Sequence, residues 1–400
     1  MRPFLFTTLA ALAIAGPAPA QSLETGSERT TPGWVFTPAF ALGGQWDSNV
    51  TVLSKGDPHF AEWGAVVNPL ADVDFNGRRT KMRAGYSGRL DAYRRFSELQ
   101  RFEQRTRFNL DHDVSRRVQI GTNVSYADVP STDRLEVLVG KAAFQDIGSR
   151  LFDTAAHLEI KTGTRNRIEA VYKFRNVSFD NEPQRQADSP ILTGGYSHEP
   201  SITVLQDLTS RLTVGAGWSY RRAHLADDFE VFDVHSGTAA VAYRLAPQTT
   251  VSAGLGASHL QETHGAVSKW GPTFYGSIEQ HAGRTDFSAR YELSFVPTYV
   301  TGGMTADQMV QATAHAPLGR TRSYVDGSVS YGRTRPISTL VPGFRLDSVF
   351  TRAAFGYRVA RWLRTEAFYL GMHQTSSLLL DVNRTRIGVQ FITSKPMRIQ

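Results

Sequence analysis

The 400-residue chain carries 44 Lys and Arg against 37 Asp and Glu, a formal charge of +7, a pI near 9.6 and no cysteine. Without cysteine, disulfides, thiolate metal sites and Cys nucleophiles are excluded together, so the chain is held by its own sheet and core. Only seven of the cations are Lys, and Arg is the cation suited to forked, partly desolvated carboxylate pairs.

Met1-Arg2 is a short positive start, Phe4 to Gly16 is apolar, and Ala18-Pro19-Ala20 has small residues two apart. That tripartite pattern predicts a secretory signal over 1–20, with the mature chain starting near Gln21 and a flexible leader over 21–33. Export argues against the nucleic-acid partner that a basic charge alone would permit. No later stretch reaches the roughly eighteen apolar residues of a spanning helix.

From Trp34 onward the chain repeats one unit. The first run places Trp34, Phe36, Pro38, Phe40 and Leu42 at alternate positions and ends in WDSN (46–49). Similar alternation follows through NPLADVDFNGRRTKMRAGYSGRLDAY (68–93), RFEQRTRFNLDHDVSRRVQI (101–120), DLTSRLTVGAGWSY (207–220) and YRLAPQTTVSAGL (243–255). It continues in Phe287 to Phe295 and Val349 to Tyr357. A period of two is the strand signal. Connections alternate between short turns, such as 76–79, 112–117, 161–166, 206–211 and 358–361, and longer polar segments, such as 47–62, 127–150, 177–195, 296–307 and 371–380.

About eighteen strands result, with sixteen the nearest alternative. Short turns on one end and long loops on the other mark an all-β antiparallel up-and-down barrel spanning a bilayer. Only a closed ring satisfies every backbone N–H and C=O of a β protein in hydrocarbon. The predicted barrel covers 34–393, with a short tail over 394–400. Rings at Trp34, Trp46, Tyr86, Tyr126, Tyr172 and Trp218, and later at Tyr220, Tyr243, Trp270, Tyr291, Tyr331, Tyr357, Trp362 and Tyr369, suit headgroup girdles.

Alternation also divides the charges from the apolar side chains. Met82, Ala84, Tyr86, Gly88, Leu90 and Ala92 would meet lipid, leaving Lys81, Arg83, Arg89 and Asp91 to line the lumen. An Arg on the lipid side at mid-bilayer costs about 2–4 kcal/mol, so the charges set the phase. The next inward row is Arg101, Glu103, Arg105 and Arg107. Further rows hold His157 and Glu159, then Arg167, Glu169, Lys173 and Arg175, and later Arg290 with Glu292 and Arg364 with Glu366. Two readings of these rows stand together. They form a cationic surface that attracts anions, or Arg and Glu pair across strands and stiffen the wall at about 0.2–1 kcal/mol each. The interleaved acids favour the second slightly.

Asp47-Ser48-Asn49 reads as a turn former ahead of a Ca²⁺ or sugar site, because these residues hydrogen-bond locally. Asp128, Asp133, Glu136, Asp146, Asp180, Glu182 and Asp188 lack Ca²⁺-loop spacing. The apolar run LEVLVGKAAF (135–144) reads either as a plug folded into the lumen or as a strand above the membrane. The histidines show no metal spacing, and His259 and His264 have no nucleophile beside them in sequence. No enzymatic motif, metal or cofactor is predicted.

On the quoted strands and turn phrases, residues 33–391 resemble the beta-barrel porin type 2 family. Those are outer-membrane barrel proteins associated with exopolysaccharide synthesis and export loci. RIGVQF (386–391) departs from the usual terminal aromatic residue, since ITSKPMRIQ follows it. The resemblance implies an outer-membrane location and polysaccharide export components as partners. Outer-membrane lipids, lipopolysaccharide and the barrel-insertion machinery are the other expected partners. The function expected is a channel for anionic or polar solutes, and the alternative is a plugged barrel with a structural or surface-binding role.

Overall fold

The computed structural model describes residues 33–53, 59–97, 100, 102–129, 148–180, 194–225, 230–263, 267–299, 303–319, 322–338, 345–377 and 381–399. The expected signal and residues 21–32, Arg101, His264 and the apolar run 135–144 lie outside them. So do Asp133, Glu136, Asp146, Glu182 and Asp188.

The alternating runs form β1 (Gly33–Asp47), β2 (Glu62–Asn76), β3 (Thr80–Tyr93), β4 (Phe102–Asp113), β5 (Val118–Val129) and β6 (Ser149–Lys161). They continue as β7 (Asn166–Phe179), β8 (Gly195–Asp207), β9 (Leu212–Leu225), β10 (Glu230–Ala246), β11 (Thr249–Glu262) and β12 (Ser268–Ala282). The last are β13 (Thr285–Pro297), β14 (Met304–Leu318), β15 (Ser323–Ser338), β16 (Leu346–Arg358), β17 (Leu363–Ser376), β18 (Val382–Ser394) and the short β19 (Met397–Ile399). No α-helix appears among the described residues, and no helix is long and apolar enough to cross a membrane.

Each of the first eighteen strands pairs antiparallel with its chain neighbours, and β1 pairs with β18 from Ala39↔Ser394 to Asp47↔Arg386. The sheet is therefore a closed eighteen-strand barrel, and closure removes the unpaired edges that make open sheets aggregate. Pro396 supplies no N–H, so the ladder breaks there. Beyond it Met397–Ile399 pairs with Phe36–Trp34, so these residues of the tail segment lengthen the seam.

Register sets the two faces. Around the ring the pairings keep one set of alternate positions on one face, and the two register shifts, at Arg244/Ala246 and Met304/Thr305, fall at strand ends. Every exposed large apolar side chain on a strand, from Phe40 and Leu42 through Val204, Leu255 and Phe355 to Phe391, belongs to one set of alternate positions. That is the outer face. It carries Asp, Glu, Lys or Arg only next to the long loops, as in the Arg333–Asp347 pair at 2.6 Å. Below that level it forms an uncharged belt all the way round. All the strand-borne rings expected in girdles lie on it, whereas Tyr93, Tyr275 and Tyr324 lie on the inner face.

Candidate functional site: the interior of the barrel

The opposite set of positions holds the ion pairs. Lys81, Arg83, Arg89 and Asp91 of β3 share a row with Glu103, Arg105 and Arg107 of β4. His157 and Glu159 of β6 share one with Arg167, Glu169, Lys173 and Arg175 of β7. Arg290 and Glu292 on β13, and Arg364 and Glu366 on β17, occupy the same face. Some partners lie two residues away on one strand, as in Arg89–Asp91 at 2.9 Å, Arg105–Glu103 at 2.6 Å and Arg290–Glu292 at 2.5 Å. Others lie across strands: Arg83–Asp74 at 2.6 Å, Arg175–Asp153 at 2.6 Å and Lys173–Glu199 at 3.4 Å. Arg364 has a buried Nε that meets no hydrogen-bond acceptor among the described residues.

Several bridges skip a strand, and an interior glycine lies under each. Arg107 of β4 crosses Gly85 of β3 to reach Asp72 of β2 at 2.9 Å. His157 of β6 crosses Gly121 of β5 to Asp111 of β4 at 3.2 Å. Tyr93 passes over Gly64 to Asp47 at 2.9 Å, and Tyr324 over Gly356 to Glu366 at 3.0 Å. A Cβ on Gly85 would stand 2.6 Å from the Arg107 Nε, so the bridge requires the missing side chain.

Asp47 reaches beyond the turn role read from its sequence. Its carboxylate is fully buried and takes Arg384 at 2.6 Å across the seam, while Tyr93 donates to the same oxygen, Oδ2. Gln45 donates to the Tyr93 hydroxyl at 3.2 Å and accepts from Arg89 at 3.0 Å. Asn49 does act locally, accepting from Leu53 N–H and donating to the Leu53 carbonyl, and it also donates to the Asn383 carbonyl across the seam.

The wall from β10 to β14 differs in chemistry. Hydroxyls pair there: Ser236 with Ser258 at 2.7 Å, Ser252 with Ser277 at 2.8 Å, and Ser288 with Thr313 at 2.6 Å. At the long-loop end the interior turns apolar. Leu151, Val177, Leu225, Phe232, Leu260 and Leu346 pack with Tyr299 in one cluster. Leu151 and Val177 come from the neighbours β6 and β7, Leu225, Phe232 and Leu260 from β9 to β11, and Leu346 from β16 farther round the ring, so these groups meet across the interior. Tyr299, on the β13–β14 connection, crosses to β8, where its carbonyl accepts from Gly194 at 3.0 Å and its hydroxyl meets Ser197 at 3.0 Å. Burial holds its phenol above the ordinary value, so it stays a neutral hydrogen-bonding group. A second inward segment brings Val52 onto Phe350, Met372 and Val382. The mouth thus has an apolar arc and, from β18 round to β4, an ionic arc.

On the interior rows of β1–β18 there are eighteen Lys and Arg and twenty-one Asp and Glu. The wall is close to charge balance and does not carry the net +7 of the chain. The partner acids Asp72, Asp74, Asp153 and Glu199 were not singled out from sequence. Their signal is visible only once strand register assigns cross-strand neighbours.

No family model and no curated protein matches the chain. Among solved structures it is similar to the siderophore receptor PirA from Acinetobacter baumannii (7% identity, 92% of this chain and 81% of that one, TM-score 0.46). It is also similar to OccAB4 of Acinetobacter baumannii (9%, 93% and 100%, 0.43). A third is OpdO of Pseudomonas aeruginosa (11%, 92% and 98%, 0.42). Identities and scores this low transfer no function to this chain.

Proposed function

We propose that the chain is an outer-membrane β-barrel channel for polar solutes. The uncharged outer belt supports this most directly, because a closed barrel with such a belt, and with no ion pair on its outer face at belt level, is stable in hydrocarbon. The interior suits hydroxyl-rich and charged solutes: one wall offers paired guanidinium and carboxylate groups, the other hydroxyls. Acidic sugars fit that chemistry and agree with the family resemblance to proteins of exopolysaccharide loci. Charge balance in the wall implies weak ion selectivity, with anions passing beside Arg and held too loosely to stay.

The apolar arc favours a second reading, a barrel closed at the long-loop mouth that serves as a structural or surface-binding protein. Planar-bilayer recording of the wild type and of Tyr299→Ala separates the two. The channel reading expects conductance in the wild type with a permeability ratio near unity, and a larger conductance once the ring spanning the mouth is removed. Silence from both proteins contradicts it and leaves the closed barrel.

A further inference from the structure

The short-turn end of the barrel has a charge pattern unlike the rest of the molecule. Segments 77–79, 114–117, 162–165, 208–211, 247–248, 283–284, 319–322 and 359–362 contain no Asp or Glu, and neither does the 395–396 step. They contain Arg78, Arg79, Arg116, Arg117, Arg165 and Arg211, and beyond these Arg284, Arg322, Arg361 and Lys395. These ten cations exceed the whole net charge of +7. The connections at the other end mix both signs, as in Arg94, Arg95, Asp180 and Asp381.

The cations are also placed regularly. In successive turns, the last residue accepts a main-chain hydrogen bond from the strand beyond: Asp113 N–H to Arg79, Lys161 to Arg117, Asp207 to Arg165, Arg244 to Arg211 and Arg358 to Arg322, at 2.8–2.9 Å. One rim position is therefore Arg on five turns, with Gln248 and Trp362 filling it on two more. Among the described residues, Arg78, Arg79, Arg116, Arg117, Arg165 and Arg211 are exposed and form no ion pair. At the strand ends beside the turns, Asp207 and Asp286 are engaged by Arg167 and His281, while Asp113 is exposed next to the 114–117 turn.

The second observation is apolar. Val114, Leu208, Leu245, Leu318, Val359 and Trp362 are exposed in or beside these same turns, and Trp34 packs on Phe75 at 4.7 Å beside Arg78. An exposed apolar side chain next to a guanidinium suits a bilayer interface, where one enters the acyl boundary and the other meets phosphate. A soluble anion would have no use for the apolar half.

We infer that the short-turn rim is a collar that binds the phosphate of anionic phospholipid headgroups in the adjoining leaflet. This rests on the membrane-spanning reading above. The collar sets the depth of the barrel and gathers anionic lipid around it.

The test uses the full barrel folded into vesicles of phosphatidylcholine with phosphatidylglycerol, extracted gently and examined by native mass spectrometry for retained lipid. Each Arg near an anionic surface contributes enough for about fivefold preference, so phosphatidylglycerol should be enriched on the wild type by at least about that factor. The enrichment should fall toward parity in a variant carrying Arg79→Gln, Arg117→Gln, Arg165→Gln and Arg211→Gln. It should persist in Arg94→Gln/Arg95→Gln at the opposite end. Equal retention of both lipids by the wild type, or equal loss in both variants, overturns the collar while leaving the barrel in the membrane. Binding of an acidic peptide without lipid enrichment also overturns it and assigns the rim to a protein. Failure to enter vesicles overturns the spanning reading, and the collar with it.

Discussion

Asp47 and Arg384 lie 337 positions apart in sequence and meet at 2.6 Å, with side-chain exposures of 0% and 5%. They join the last residues of β1 to β18, so the pair forms only when the first and last long strands have found each other. The same carboxylate accepts from Tyr93 on β3, which ties the seam to the wall beside it.

Removing one partner should therefore cost much more than removing both. Asp47→Ala leaves a buried guanidinium without its main counter-ion, an effect of about 3–5 kcal/mol. Asp47→Ala combined with Arg384→Met should recover a large part of that loss. Urea unfolding in lipid vesicles reads both; equal losses for the single and double variants would show that the pair does not hold the seam.

The outer belt makes a depth-dependent prediction. Leu255 lies near the middle of β11, and Leu245 lies beside the 247–248 turn. Leu255→Arg should destabilise the folded barrel by about 2–4 kcal/mol, and Leu245→Arg by about 0–1 kcal/mol. Similar losses at both positions would contradict a hydrocarbon slab centred on the belt.

The skipping bridges give a third test. Gly121→Ala puts a methyl where the His157 ring lies and should cost about 1–3 kcal/mol through the lost contact to Asp111. At Gly237 an added Cβ meets nothing within 4 Å, so Gly237→Ala should be neutral or mildly stabilising. The pair is read by thermal unfolding; equal effects would mean the glycine plays no part in the bridge.

Much of the architecture was legible because a lipid-facing strand must alternate strictly. Met82 to Ala92 and the arginines between them show the two faces without any knowledge of partners. The short turns and long loops were legible too, since their lengths differ. Other features depend on which strands become neighbours. Asp72 and Asp153 read as ordinary strand acids until register sets them against Arg107 and Arg175. Leu151, Phe232 and Leu346 look like continuing strand residues, and only closure turns them toward Tyr299. The turn arginines stood in plain view as NGRR, VSRR and LTSR, but a ring of charge exists only once the barrel brings those turns to one rim.

Site-directed labelling of β11 tests the central claim, helped by the absence of cysteine in the chain. Single cysteines at Val251, Ser252, Ala253, Gly254, Leu255 and Gly256 would each carry a fluorophore in vesicle-bound protein. Quenching by a lipid-phase agent should be strong at 251, 253 and 255, and quenching by an aqueous agent should be strong at 252, 254 and 256. Aqueous quenching at all six positions would contradict a barrel whose outer face meets acyl chains.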